Sequence, residues 1–441
     1  MGKSMNLFKK KSKSYNIFVW GASLESYALV KKISESNKVK NLYTNNDFFA
    51  EREAGYKFFA NQESVRQDIG LLLDFAKRKE IDIFICDWKH NTQGVIEAFE
   101  SININTIGVN KKWANLETRK DIGKQFMRIN KILTADYVVV ENENDYKANI
   151  NKFGYPVVVK ANGPALGLGA YICHNEEEAE DAYKRINSGE AYPVQEKIII
   201  EEFLEGVEFD IISLWDGKTL LPLLPFKDYK LRFEGNKGLN TGSMGQYFPF
   251  EIPKKYQSAV NAYIKKLERA LRRHKVNYKG AIYSALMVND KGVYCLEYNM
   301  RIGLTEAPLF TIHSNNDFVD ILEAILQQKL NKLKLQWKPG KAACINIVAN
   351  EYPYSTKQIV EINFDAVNKL EEAGINVFHS FLKPQEDNKV SVPGLIALCL
   401  AKSSQSPLEE IYEQLNNIDF EKNFVNCSYR TDIGTNYLSQ K

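Results

Sequence analysis

Lys160 arrives at the end of an alternating valine strand, YPVVVK, and the glycine turn ANGPALGLGA follows at once. A lysine so placed can sit against phosphate oxygens while the bare backbone at Gly163, Gly167 and Gly169 folds over them. Further along, IIIEEFLEGVE carries an apolar strand into Glu201, Glu202, Phe203 and Leu204, with Glu208 at a distance suited to ribose hydroxyls. In LEYNMR, Glu297 and Asn299 stand two apart on a strand, so both oxygens point to one face and can share Mg²⁺. Arg301 falls on that face too, where it can meet a carboxylate or phosphate. The segment KGLNTGSMGQYFP, Lys237 to Pro249, has the glycines and hydroxyls of a flap over phosphates. Each segment alone also has a plainer reading: an amphipathic strand with solvated acids, a polar sheet face, a surface loop. Together they supply what ATP-driven activation of a carboxylate needs, which is cations and amides for the triphosphate, hard oxygens for the metal and a slot for adenine.

The elements that must position these groups fall into three stretches. From Tyr15, short apolar runs alternate with helical patterns: NIFVWG, LESYALVKKISES, NLYTN, SVRQDIGLLLDFAKRKE, IDIFICD, TQGVIEAFESI and INTIGV. That rhythm predicts a parallel sheet flanked by helices, with its ligand edge at the strand C-termini, where Gly21, Asp87 and Gly108 lie. A helix from Asn115 to Arg128 leads out of this unit. The middle stretch predicts longer strands, with a hairpin closed at Asp216-Gly217 and a turn at Asn289 to Gly292. From about Trp337 a third piece has strands AACINIVAN, NVFHSFLK and LIALCLAK and ends in the helix PLEEIYEQLNNI.

Composition narrows the function classes. The chain has 441 residues, enough for two to four domains, and 58 basic against 55 acidic side chains, so it has no charge bias toward nucleic acid. No run reaches membrane-spanning length, and the basic leader KKKSK, Lys9 to Lys13, reads as a solvated tail. Met1-Gly2 resembles a myristoylation start, but Asn6 stands where Ser or Thr is required. The six cysteines lie far apart in apolar runs and read as buried thiols in a reducing compartment. Among five scattered histidines only His90, in DWKHNT, merits attention as a ligand-edge residue.

The motifs taken in order resemble the phosphoribosylamine–glycine ligase family of the ATP-grasp superfamily, from about Asn16 to Gly434. The matching stretches are ANLETRKDIGKQFM, VVVKANG, IIIEEFLEGVE, DGKTLLPLLPFKDYK, NKGLNTGSMGQYFP, GAIYSALMV, LEYNMRIG, AACINIVANEYP and YRTDIG. The resemblance implies an α/β (α+β) ATP-grasp fold. Its parts are a leader over 1–14, a Rossmann-like N-terminal domain over 15–114, an ATP-grasp domain over 115–335 with a mobile lid at about 133–203, and a small C-terminal α/β domain over 336–441. It implies a cytoplasmic ligase of purine biosynthesis joining a carboxylate to an amine, a monomer or weak homodimer with small-molecule substrates and neither nucleic acid nor membrane partners. By position, Lys120 and Lys160 reach ATP phosphates with Gly163, Gly167 and Gly169. Glu201, Glu202 and Phe203 hold adenine, and Glu208 holds ribose. Glu297 and Asn299 bind Mg²⁺ or Mn²⁺. Asp228, Lys230, Asn240, Thr241 and Arg301 lie near the reacting groups, with Asp228, Lys230 and Arg301 the catalytic candidates and Asn240 an ATP contact. Gly21, Ser23, Thr241, Gly242 and Ser243 are the substrate-contact candidates.

The chain departs from the family pattern at several places. GASLESYA puts Leu24 and Glu25 where the family has small and basic residues at a phosphate-cradling helix N-terminus, and a carboxylate there opposes an anion. CDWKHNT, Cys86 to Thr92, replaces a Gly-Pro-Glu motif, and Gly303-Leu304-Thr305-Glu306 replaces Gly-Asp-Pro-Glu. Leu168 and Ser243 replace a flap lysine and glycine. These changes open two alternatives to the purine reaction: ligation of a different acid and amine, or a non-catalytic nucleotide-binding relative.

Overall fold

The computed structural model describes residues 14–21, 23–44, 56–58, 68–86, 93–165, 169–188, 197–353, 359–379, 383–384, 389–393 and 396–434. The leader, Asp87, His90, Gly167 and Leu168 lie outside these residues. Strand Tyr15–Trp20 is buried along its whole length and pairs in parallel with Val39–Thr44 on one side and Ile83–Cys86 on the other. Asn105–Ile107 extends this parallel sheet, as the alternating pattern predicts, and Tyr56–Phe58, which the pattern did not mark, makes a fifth strand. A parallel sheet buries both faces. One face carries Ile17, Val19 and Ile85 into the large central core, and the other stacks Phe84 on Phe99 with ring centroids 3.6 Å apart.

A four-stranded antiparallel sheet, Tyr137–Val140, Ile198–Glu202, Val157–Ala161 and Ala170–Cys173 in spatial order, carries the Lys160 strand. Its apolar face packs against helices Glu143–Asn149 and Glu176–Ser188 and makes a small core of its own, built on Val157, Val159 and Ile200. Facing it is a second four-stranded sheet in which Val207–Trp215 pairs with Leu220–Pro222 and Gly280–Asn289, and the latter with Gly292–Asn299. The hairpin closes at Asp216-Gly217, where Gly217 takes a φ of 85° that favours glycine.

Three expectations change on contact with the structure. The single helix from Asn115 to Arg128 is two, Lys111–Thr118 and Lys120–Ile129, because Arg119 turns extended at φ −139°. The flap segment is not plain loop: Lys237–Asn240 pairs with Leu231–Phe233, and Gly245–Phe248 with Lys227–Asp228. Gly245–Phe248 also pairs with Lys341–Ala349, so a six-stranded sheet runs through the expected boundary between 335 and 336. The six cysteines are free thiols, five of them buried.

Asp216 shows how the hairpin is anchored. It is fully buried and accepts from Lys218 N at 2.8 Å, Thr219 N at 2.6 Å and Leu330 N at 3.1 Å. Asp216→Ala removes all three acceptors and leaves buried amides unmet. We expect a loss of about 2–3 kcal/mol in urea unfolding with an unchanged m-value; a loss below about 0.5 kcal/mol contradicts this anchoring role.

Candidate active site

The gap between the two four-stranded sheets is lined by charges from several elements. Lys160 closes its valine strand and lies 2.9 Å from Glu201 Oε2, while Lys124, from the helix Lys120–Ile129, lies 2.9 Å from Glu201 Oε1. Glu201 and Lys124 are each 1% exposed. Burial alone raises a carboxyl pKa, yet the two ammonium groups hold Glu201 below its usual range. Lys124, shut away from water, is pushed down, whereas Lys160 also feels Glu297 and Glu208 and is raised against the effect of burial. Glu201 is therefore held in a buried ion-pair network between two lysines.

Asn162, just past the Lys160 strand, joins the two lysine-bearing elements. Its Oδ1 accepts from Asp121 N at 2.8 Å and its carbonyl from Lys120 N at 2.9 Å. Lys120 Nζ in turn donates to the Gly163 carbonyl at 3.2 Å and stands 3.8 Å from Glu297 Oε2. The strand Gly292–Asn299 puts Glu297 and Asn299 on one face, as their spacing predicts. Burial opposes ionisation of Glu297, but Lys120, Lys160 and Lys230 outweigh it and hold the carboxyl low. An ionised carboxylate beside an amide oxygen is a hard-oxygen donor set that fits a divalent cation.

Glu208 and Lys230 form the next pair, 2.6 Å apart, with Lys227 Nζ on the Glu208 carbonyl at 2.6 Å. Despite burial, Lys230 holds Glu208 low, and the carboxylates Asp210, Glu208 and Asp228 raise Lys230 well above its ordinary value. Arg301 donates from Nε to Glu117 Oε1 at 3.2 Å, and Glu117 Oε2 accepts from Met300 N at 2.7 Å. Glu117 thus orients the arginine, a role that the ANLETRKDIGKQFM stretch containing it did not announce. Asn240 Nδ2 donates to the Ala170 carbonyl at 3.1 Å, tying the flap to the Lys160 sheet.

Several substrate-contact candidates are otherwise engaged. Thr241 donates from both its amide and its hydroxyl to the Lys230 carbonyl, each at 2.8 Å. The amides of Gly242 and Ser243 donate to the Tyr352 hydroxyl at 2.6 and 3.3 Å, so they are not open phosphate donors. Gly21 lies at the C-terminal edge of the parallel sheet. Ser23 is the N-cap of helix Leu24–Ser34 in a reciprocal capping box with Ser26, and Glu25 is buried in its first turn. A cavity of about 80 Å³ opens beside this turn, walled by Trp20, Glu25, Cys86, Leu214, Met300 and Arg301.

The family described as phosphoribosylglycinamide synthetase, ATP-grasp (A) domain, matches residues 118–307, the span that holds these pairs. The Clostridium acetobutylicum protein named phosphoribosylamine–glycine ligase is 30% identical over 425 residues, 95% of this chain and 99% of that one. The chain belongs to the phosphoribosylamine–glycine ligase family. The Fusobacterium nucleatum protein of the same name is also 30% identical, over 96% of this chain and 99% of its own. In fold, the chain superposes on the Thermotoga maritima phosphoribosylamine–glycine ligase with a TM-score of 0.74 at 22% identity, covering 95% of this chain and 99% of that one. It also superposes on the MgADP-bound biotin carboxylase domain of Hydrogenobacter thermophilus 2-oxoglutarate carboxylase, with a TM-score of 0.69 at 16% identity over 94% and 91% of the two chains. The fold is that of an ATP-grasp ligase. Among the described residues no helix is long and apolar enough to cross a membrane.

Motif reading missed Lys124, Glu117, Tyr352 and a buried acidic group around Asp210. Asp210 is fully buried, and desolvation, reinforced by Glu306 and Glu208 and opposed by Lys230, lifts its carboxyl to about 7. An unfolded aspartate ionises near pH 4, so the folded protein loses stability as pH rises from about 4 through 7. Asp210→Asn removes that loss. Its melting temperature is expected to exceed the parent's by about 2–6 °C at pH 8 and to match it at pH 4; an equal gain at both pH values contradicts the assignment.

Proposed function

We propose that this chain couples ATP cleavage to bond formation between a carboxylate and an amine, with glycine and phosphoribosylamine as the first pair to test. The observation that carries this reading is the shared face bearing Glu297 and Asn299, with Lys120 3.8 Å from Glu297 and Lys160 beside Glu201. In this reading the triphosphate lies between the two four-stranded sheets, with Lys120 and Lys160 on its oxygens. The backbone after Glu201, at Glu202 and Phe203, meets adenine, and Glu208 meets ribose. Gly163 and Gly169 give the phosphates a close backbone approach, and Asn240 holds the flap over them.

Glu297 and Asn299 are the residues that would hold Mg²⁺ or Mn²⁺, whose chemistry is to neutralise charge on the phosphoryl oxygens. The γ-phosphoryl group passes to the acid's carboxylate oxygen and ADP leaves. The amine nitrogen then attacks the acyl carbon, the C–O bond to phosphate breaks, and the amide forms. Lys120, Lys160 and Arg301 position the anionic groups and offset their charge, so no side chain need act as nucleophile. The expected partition at 15–114, 115–335 and 336–441 puts this chemistry in the middle unit, under a lid at about 133–203.

Mg·ATP should raise the melting temperature by several degrees at millimolar ligand, and glycine plus phosphoribosylamine should release phosphate. Glu297→Gln should cut turnover at least about 100-fold. Undiminished turnover in that variant rules out the metal assignment.

A second reading concerns the amine. The Ser23–Ser26 capping box takes up two amides of the helix start, Glu25 adds a carboxyl there, and the adjoining cavity is walled mainly by apolar side chains. These features favour an acceptor without a phosphate at that position. A panel of unphosphorylated amines decides between the two readings. Phosphate release with one of them, and none with phosphoribosylamine, establishes the changed acceptor; turnover confined to phosphoribosylamine excludes it.

A further inference from the structure

A second cavity, of about 170 Å³, shares no wall with the gap between the two four-stranded sheets. It opens where the last turns of helices Leu24–Ser34 and Glu306–His313 meet the strands Asn376–His379 and Ile396–Ser404. Lys31 and Lys32 enter it from the first helix and Lys402 from the longer strand. Lys338 is the fourth lysine, and its amide donates to the His313 carbonyl at 2.8 Å. Among the described residues that wall the cavity, Glu35 is the one acid. Lys32 stands seven residues beyond Glu25 on its helix, or about 10 Å, so this cavity is separate from the small one at the helix start.

The four cations are seated but not neutralised. Lys402 Nζ donates to the Gly374 carbonyl at 2.9 Å and stands 3.3 Å from Glu410. A Cβ at Gly374 would come within 2.9 Å of that ammonium, so glycine keeps its seat open. Lys32 pairs with Glu35 at 2.6 Å, but the Glu35 side chain is 61% exposed and free to turn to water. Lys31 Nζ lies 5.7 Å from the Phe378 ring centroid, and among the described residues no carboxylate pairs with Lys31 or Lys338. Burial and the nearby Lys32 push the Lys338 ammonium down, against the pull of Glu35. Two helices end here, each with about half a negative charge at its C-terminus, which accounts for part of the cationic excess. Set against those ends, Glu35 and Glu410, four ammonium groups still leave a surplus of about one charge, and about two once Glu35 turns away. A phosphoryl group carries about 1.5–2 negative charges at neutral pH. Its oxygens can meet ammonium groups converging from three elements, whereas a carboxylate has only two oxygens to offer. Asn376 adds a neutral amide to the wall. One water needs about 10–15 Å³ of such space, so the cavity has room for a phosphoryl group with a small ester behind it.

We propose that Lys31, Lys32, Lys338 and Lys402 form a second anion site, which takes a phosphoryl group as orthophosphate or as a small phosphomonoester. The assignment goes beyond the ligase reading and does not depend on it. The bound anion joins three parts of the chain that are far apart in sequence: the first helix, the helix Glu306–His313 and the C-terminal strands. The first turns of the two helices hold Glu25 and Glu306, and Glu306 Oε1 accepts from Gln246 Nε2 at 2.6 Å. Occupancy thus steadies both helices from the ends remote from the catalytic gap.

The test is calorimetric titration of the full chain at constant ionic strength, loaded with Mg²⁺ and a non-hydrolysable ATP analogue to fill the catalytic gap. The probes are orthophosphate, glycerol 3-phosphate and acetate. One phosphoryl anion per chain is expected, bound at least about 10-fold more tightly than acetate. Lys31→Gln combined with Lys338→Gln should weaken it at least about 10-fold while nucleotide affinity holds, and Lys31→Arg with Lys338→Arg should retain it. Tighter binding of glycerol 3-phosphate names an ester as the occupant and tighter binding of orthophosphate the free ion; either supports the site. Should the variants fail to fold, acetylation of the unaltered chain decides. Orthophosphate should slow modification of Lys31 and Lys338, read by mass spectrometry, and leave the exposed Lys40 unaffected. Equal phosphate affinity in the glutamine variant, acetate bound as tightly as phosphate, or no protection of the two lysines overturns the site. So does the absence of phosphoryl binding at about 10 mM. A chain that binds no nucleotide fails the ligase reading, and this site still stands if phosphate binding depends on the two lysines.

Discussion

The site depends on keeping opposite charges paired away from water in the gap between two sheets. Glu201, held between Lys124 and Lys160, is the centre of that arrangement. An ion pair buried this deeply gains little net stability, because desolvation consumes most of the attraction, but removing one partner leaves an uncompensated charge at a cost of several kcal/mol. Its contribution is geometric. Lys124 takes up one oxygen of Glu201, so Lys160 keeps a fixed direction yet remains within the field of Glu297 and Glu208. A phosphate arriving there meets a cation that is already ordered, which lowers the entropic cost of binding.

The same requirement sets how the surrounding elements are joined. Asn162 holds the start of the Lys120 helix against the end of the Lys160 strand, and Asn240 ties the flap to the same sheet. Tyr352 then connects the flap to the six-stranded sheet by accepting two of its amides. Arg232 donates to the Tyr352 carbonyl at 2.7 Å and to Ser428 Oγ at 2.6 Å, and the buried Arg430 bonds the Leu231 carbonyl at 2.8 Å. The C-terminal strands thus brace the flap at its base. Nothing in this bracing depends on long-range charge, so it holds at ionic strengths that screen exposed pairs.

Much of this could be read from the sequence, for identifiable reasons. The parallel sheet was legible because period-2 and period-3.6 patterns alternate cleanly from Tyr15 onward. Glu297 and Asn299 were legible because strand geometry puts residues two apart on one face whatever the tertiary context. The break at Arg119 was not, since a helical pattern on both sides hides a single extended residue. Lys124 and Glu117 stood inside the ANLETRKDIGKQFM stretch without a role, because their importance comes from burial beside charges distant in sequence. Asp210, Asp228, Gln246 and Glu306 come together only when a flap strand joins a sheet that also contains Lys341–Ala349, a pairing that no local pattern announces. The hydroxyls and amides of Ser23, Gly242 and Ser243 were legible as donors and acceptors but not as already engaged.

The two ends of the site therefore differ in what they leave unsatisfied. At the helix start near Glu25, the capping box takes up the amides of Ser23 and Ser26, and the added carboxyl complements the helix dipole from within. An anionic group placed there meets the added carboxyl of Glu25. Around Asp210 the imbalance is of another kind: burial raises the carboxyls of Asp210 and Asp228 against the pull of Lys230. Between them, the Glu297 face with Lys120 and Lys160 combines an ionised acid with fixed cations, the arrangement that suits a metal-bound phosphate. The middle of the site thus pairs an acid with fixed cations, while buried carboxyls lie on either side of it.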